Sequence, residues 1–305
     1  MFSRHHGQSR LRRRVLAAAA GVLTLGLVAA GCGSSDSGSS GGGGSTNKTI
    51  TIGWIPWDED IAATHLWKQV LEKKGYKVNL TQLDVGPLYS GMAQGDPDLF
   101  LDGWLPITHA DYWKQYKSNL EDVHVWYDHA KLTIAVPNYS PMNSLSDLKG
   151  QASRYDGKIT GIEASAGLSR VTKNDVIPGY NLDGYTLQTS STPAMLAQLQ
   201  KSIKAHQPIV VTLWRPHWAY SAYPIKDLKD PKGKLGKAEQ IHAIGRADFS
   251  KDFPQVSKWL KGFQMNDQQL GSLENYINNK YKGDTTKAVK AWMKDNPDFV
   301  NSMTS

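Results

Sequence analysis

The sequence predicts an α/β fold with mainly parallel sheets, arranged as two lobes. Three observations carry that prediction. From Thr49 onward, short apolar stretches alternate with amphipathic helical patterns, the order that builds βαβ units. The βα run then restarts after an extended stretch holding Pro137 and Pro141, which suits two lobes better than one continuous sheet. Hydrophobic residues make up 40% of the chain and the mean hydropathy is −0.46. That composition fits a globular protein with a real core and excludes wholesale disorder or a polytopic membrane protein.

The elements follow from local pattern. Residues 49–55 read as a strand, and 59–74 as a helix with apolar positions at Ile61, Leu66, Trp67, Val70 and Leu71 and a stop at Gly75. Residues 76–83 alternate as a second strand, Pro87 starts a short helix, and 98–101 form a third strand. Thr108 is expected to cap a helix running to about Lys117. Residues 131–136 are another strand. The second run is strand 158–162, helix 168–174, strand 185–189, helix 193–205 and strand 208–213. A last strand at 240–245 precedes helices at about 253–262, 267–281 and 285–295, which are expected to return over the first lobe. The first lobe is thus 49–134 with 236–305, and the second is 135–235.

The formal charge of +7 needs partitioning before it is read as a phosphate-binding signal. Five arginines (Arg4, Arg10, Arg12, Arg13 and Arg14) lie in residues 1–31, where there is no acid, leaving 30 basic against 28 acidic residues beyond. A body so balanced has no basic footprint for nucleic acid. Residues 1–31 read as a targeting segment: a basic start, an apolar run from Val15 to Ala30 and small residues before Cys32. The apolar run is short for a bilayer span, which needs about 20 residues. The segment resembles a bacterial lipoprotein signal, which implies lipidation of Cys32 and a membrane anchor. Export by the general or the twin-arginine route is left open. Residues 32–48, rich in Gly and Ser, read as a flexible tether. Cys32 is the single cysteine of the chain, so no intramolecular disulfide and no cysteine metal site is expected.

All ten tryptophans lie in the body, and three times a predicted strand ends in Trp-x-Pro: at Trp54, Trp104 and Trp214. Proline cannot continue a ladder, so each Trp sits where a strand leaves its sheet. In open α/β sheets the ligand crevice lies beyond those strand ends. Aromatic faces there suit a cation without N–H groups, such as a quaternary ammonium, at about 0.5–2 kcal/mol per contact. Three contacts reach roughly 2–6 kcal/mol, short of the roughly 8 kcal/mol of a micromolar complex, so another group must hold the ligand's far end.

Four stretches, at residues 52–76 (IGWIPWDEDIAATHLWKQVLEKKGY), 102–113 (DGWLPITHADYW), 158–169 (KITGIEASAGLS) and 208–218 (PIVVTLWRPHW), resemble the glycine betaine substrate-binding proteins of bacterial ABC importers. The resemblance spans about 49–296. It implies a two-lobed type II periplasmic-binding-protein fold with the ligand in the interlobe cleft. It further implies capture of glycine betaine or a related osmolyte, with no cofactor and no metal, and as partners a membrane permease and its ATPase. Carried over residue by residue, it assigns the cage for the trimethylammonium head to Trp57, Trp104 and Trp214, and the carboxylate to His109 and the backbone amides of Gly167 and Leu168. Trp-x-Pro alone points to Trp54, but the resemblance moves that role to Trp57 and leaves Trp54 in the core or at the rim. Leu213, Ile107 and Arg215 depart from residues common in that family. Glu163–Gly167 is a small-residue turn between a strand and a helix, whose free N–H groups suit a carboxylate.

Motifs for catalysis are missing from the sequence. There is no Gly-x-Ser-x-Gly, no His-Glu-x-x-His and no catalytic cysteine pattern. Gly157-Lys158 lacks the residues of a phosphate loop. Asp58, Glu59 and Asp60 read as compensation of a helix dipole. An enzyme is therefore not expected. The solute alternatives are choline, carnitine and proline betaine. A different class of reading is a sensor module for such solutes.

Overall fold

The computed structural model describes residues 48–305. The targeting segment, Cys32 and the tether up to residue 47 lie outside the described residues. Strand β1 (Thr49–Trp54) lies parallel to β2 (Lys77–Gln82) on one side and to β3 (Leu99–Leu105) on the other. Between β1 and β2 runs helix α1 (Asp58–Lys73), which ends as the sequence predicts. Gly75 takes φ +87°, and the N–H of Tyr76 reaches back to the carbonyl of Leu71 at 3.1 Å, a Schellman closure that needs a residue free to adopt that φ. Helix α2 (Val85–Met92) leads into β3, and α3 (Ala110–Tyr116) follows it. Thr108 does not cap α3. Its N–H and hydroxyl both bond Glu239, and the N-cap position is held by His109.

Strand β4 (Leu120–Pro137) is 18 residues long and joins two sheets. The first sheet has the order β2-β1-β3-β9-β4, with β9 (Glu239–Arg246) between β3 and β4. The second is reached through Lys131–Pro137, where β4 pairs with β7 (Val211–Arg215) and β8 (Ile225–Asp227). Beyond β7 lie β5 (Lys158–Thr160) and β6 (Thr186–Gln188). The sheets are therefore mixed and not mainly parallel. The pairings β3-β9, β9-β4, β4-β7 and β4-β8 are all antiparallel, because the chain crosses to the second half on β4 and returns beside it on β9. Only residues 131–136 of β4 were legible as strand. Residues 120–130 carry three register shifts against β9, and bulges of this kind break the period-two pattern.

Helix α4 (Gly167–Val171) follows β5 and continues through a π-turn (Thr172–Val176). A further helix, Thr192–Lys204, stacks behind β6 in sequence, with Ser191 capping it. The helices Pro254–Lys261, Asp267–Asn275 and Thr285–Asp295 come after β9. They return to the first half as expected: Gln69 on α1 donates to the carbonyl of Thr286 at 3.0 Å, and Asn278 donates to Asp58 at 2.8 Å. Trp67, Trp126 and Trp292 are fully buried beneath them, and Trp67 and Trp126 both pack on Phe263, with centroids 5.3 and 5.5 Å away.

Candidate functional site

A small cavity lies between the two halves, and its wall contains Trp57, Trp104, His109, Gly167, Leu168 and Trp214. All six sequence-predicted site residues therefore meet in one place. Glu59, Thr108, Leu132, Ile162 and Ala166 complete the wall. Trp54 is absent from it and packs edge-on against His65, as the choice of Trp57 requires.

Each site tryptophan is set by a different element. Trp57 is the extended N-cap of α1, Trp104 is the penultimate residue of β3 and Trp214 that of β7. The three are 5%, 3% and 3% exposed. Their indole N–H groups are all engaged: Trp57 with Glu163 at 3.2 Å, Trp104 with Asp102 at 2.9 Å, and Trp214 with Glu59 at 2.7 Å. With the only polar atom of each ring tied to a carboxylate, the rings have only carbon faces to offer the cavity. Such faces carry the negative side of the ring quadrupole.

His109 is fully buried. Its Nδ1 accepts the backbone N–H of Trp104 at 3.1 Å. That bond fixes the tautomer with the proton on Nε2, which has no partner among the described residues. Burial, with a smaller contribution from the Arg170 charge, pushes its pKa down to about 3, so the ring is a neutral N–H donor at any ordinary pH. Stacking on Trp57, with centroids 5.7 Å apart, holds its plane. Gly167 and Leu168 open α4, where Ala166 supplies no side-chain cap. Their N–H groups precede the first that an intrahelical carbonyl can accept.

The acidic run at the start of α1 does more than balance the helix dipole. Asp58 accepts the Trp218 indole at 2.7 Å, and Asp60 accepts the N–H of Ile55 at 2.7 Å and the Thr64 hydroxyl at 2.8 Å. Burial raises the pKa of Glu59 well above the carboxylate range and that of Asp60 to about 7. Burial, aided by Glu59, also raises that of Asp102. Sequence reasoning missed Glu59, Asp102 and Glu163, although all three fall inside the quoted stretches. Among the described residues no group of three His, Cys, Asp or Glu has a metal-holding arrangement, and no helix is long and apolar enough to cross a membrane. Of the three departures, Arg215 turns to Asp227 and the Tyr220 ring, Leu213 is buried in β7, and Ile107 offers its carbonyl to Arg170; none lines the cavity.

Comparison with known proteins supplies the context. The glycine betaine/carnitine transport binding protein GbuC of Listeria monocytogenes is 40% identical over 167 residues, which cover 54% of this chain and 54% of that protein. The match thus spans about half the length of that relative. Lactococcal OpuAC, solved in a closed conformation with glycine betaine, superposes with a TM-score of 0.78 at 31% identity, covering 85% of this chain and 100% of that one. A choline-binding protein of an ABC transporter, solved with choline, superposes with a TM-score of 0.78 at 27% identity, over 84% of this chain and 91% of that one. The architecture is that of type II periplasmic substrate-binding proteins. Residues 48–295 match the model of one family, and the chain belongs to it: the substrate-binding domains of ABC-type glycine betaine transport systems.

Proposed function

We propose that the chain is an extracytoplasmic solute receptor that captures glycine betaine, or a closely related betaine, and hands it to an ABC permease driven by its ATPase. The observation that carries this reading is the pairing of three indole faces with three neutral N–H donors around one small cavity. The trimethylammonium group meets the faces of Trp57, Trp104 and Trp214. The carboxylate takes hydrogen bonds from His109 Nε2 and the amides of Gly167 and Leu168. Hydrogen bonds to a charged group contribute about 1.5–3 kcal/mol each, which supplies what the cation contacts alone lack. Residues 49–134 with 236–305 form one lobe and 135–235 the other. Ligand touching both lobes favours their closed arrangement, the state a permease distinguishes. Cys32 carries the lipid that keeps the receptor at the membrane, and the protein turns nothing over.

Choline is the rival supported by a related structure, and His109 separates the two. Calorimetric titration of the full chain should show tighter binding of glycine betaine than of choline. His109→Ala should weaken the carboxylated solute at least tenfold while changing choline little. Equal losses for both solutes would remove His109 from the anion site, and no binding of either would refute the reading.

A further inference from the structure

Around the cavity every indole N–H meets a carboxylate, and most of those bonds run between the two halves. Trp104 is the exception, served by Asp102 two residues earlier on β3. Trp57, at the start of α1, reaches Glu163 on the turn after β5. In the opposite sense, Trp214 on β7 reaches Glu59 of α1, and Trp218 just beyond β7 reaches Asp58. The second oxygen of Asp58 lies 3.1 Å from His217 Nε2. The first half thus gives two carboxylates to tryptophans of the second, and the second gives one back. A ring held by packing alone retains freedom about the broad χ2 torsion of Trp. A hydrogen bond at its edge fixes its plane.

We propose that Glu59, Asp58 and Glu163 are positioning residues that couple closure of the two halves to assembly of the cage: Trp104 is oriented beforehand, whereas Trp57 and Trp214 are oriented only when closure brings the opposite carboxylate to each indole N–H. The proposal rests on the reading of the cavity as a solute site. It divides the kinetic labour. The head group first meets the Trp104 face in the open cleft, so the association rate is insensitive to the latches. Escape requires breaking them, so the dissociation rate is sensitive, the usual division for buried polar pairs. Glu59 is suited to the part because its burial favours the neutral carboxyl form, which a glutamine reproduces in shape and acceptor.

The test uses the full chain with ¹⁵N-labelled tryptophan, titrated with glycine betaine and, separately, with choline. Ligand should slow solvent exchange of the Trp57, Trp214 and Trp218 indole protons, while that of Trp104 is already slow without ligand. Glu59→Leu should raise the dissociation rate at least tenfold and leave association within threefold. Glu59→Gln should restore the parent rate, and adding Glu59→Leu to Trp214→Phe should cost nothing further. Should Glu59→Leu not fold, Glu163→Leu removes the corresponding bond to the Trp57 indole and should raise dissociation alike. Indoles of Trp57 and Trp214 equally protected without ligand, or additive effects of the two substitutions, would overturn the coupling. A parent protein that binds neither solute removes the solute reading and this inference with it. A parent that binds while the variants behave like it removes the inference alone.

Discussion

Gly167→Ala is the sharpest probe of how tightly the two halves meet. A Cβ at this position would lie 2.1 Å from the carbonyl oxygen of Thr108 and 2.7 Å from its Cγ2, where ordinary contact begins at 3.4 Å. The facing surfaces must therefore part by more than about 1 Å, because Thr108 cannot retreat: its N–H is bonded to Glu239 at 2.8 Å and its hydroxyl to the same carboxylate. The substitution spares the fold of each half. Gly167 has no positive φ and begins a helix, where alanine is favoured over glycine by roughly 0.5–1 kcal/mol. What it breaks is the set of bonds across the cleft, which includes Tyr112 to the Ser165 carbonyl at 3.1 Å and Arg170 to the Ile107 carbonyl at 2.9 Å, besides the indole bonds. At about 0.5–1.5 kcal/mol each, losing two or three amounts to about 3 kcal/mol, or roughly a 100-fold weaker complex. Calorimetry with glycine betaine measures the affinity, and thermal unfolding without ligand measures the fold. Binding within threefold of the parent would refute the close approach, and an unfolding temperature lowered along with the affinity would refute the claim that only closure is affected.

Three further expectations follow from the site. Trp104→Ala should weaken glycine betaine at least tenfold by calorimetry, with the far-ultraviolet circular dichroism of the fold retained; unchanged affinity would dismiss the cage. Asp60 has its folded pKa raised to about 7 from an ordinary 3.8, so between those values the folded state holds a proton that the unfolded state has lost, and stability falls as pH rises through the window. Asp60→Asn should remove that slope, shifting the difference in urea unfolding free energy by roughly 1–3 kcal/mol in favour of the variant between pH 4 and 8, and parallel pH profiles would contradict it. Choline, a net cation, should release a proton from the Glu59 cluster on binding and show a heat that depends on the buffer's ionisation enthalpy, whereas zwitterionic glycine betaine should not; identical buffer dependence for both would argue against a neutral acid there.

How much of this was legible in the sequence depends on how local each signal is. The helix α1 and its Gly75 stop, β1 and the β5–α4 turn were readable because their determinants lie within a few residues. Strand β4 was half hidden, since its bulged part presents His124, Asp128 and His129 where a regular strand would alternate. β8 and the turn of helix Ala219–Ala222 are too short for any periodicity. Tryptophan content was an ambiguous guide: Trp67, Trp126 and Trp292 fill the core, and only three of the ten line the cavity. Trp-x-Pro grammar found Trp104 and Trp214 but named Trp54 in place of Trp57, three residues on, because a strand-end rule sees where the chain leaves the sheet and not where the next helix begins. The carboxylates behind the rings were invisible for a different reason. Asp58, Glu59 and Asp60 at a helix start look the same whether they face solvent or a partner 155 residues away, and only the tertiary pairing of Glu59 with Trp214 decides.

Burial of those acids bears on how an apolar cavity suits the zwitterionic solute of the proposed function. No lysine or arginine is in its wall, and its two titratable members, His109 and Glu59, are both driven toward their neutral forms by burial. A cavity without net charge matches a solute without net charge, provided each end of that solute is solvated by fixed dipoles in place of water. Under the proposed function the ring quadrupoles do this for the methylated cation and the unpartnered Nε2 and helix-start N–H groups do it for the carboxylate. A fixed cation at the anion end would bind the carboxylate more strongly, but it would equally accept simple anions that carry no methylated head. Neutral donors at one end and bare ring faces at the other leave either half-ligand too weakly held, so affinity depends on both poles being present on one molecule.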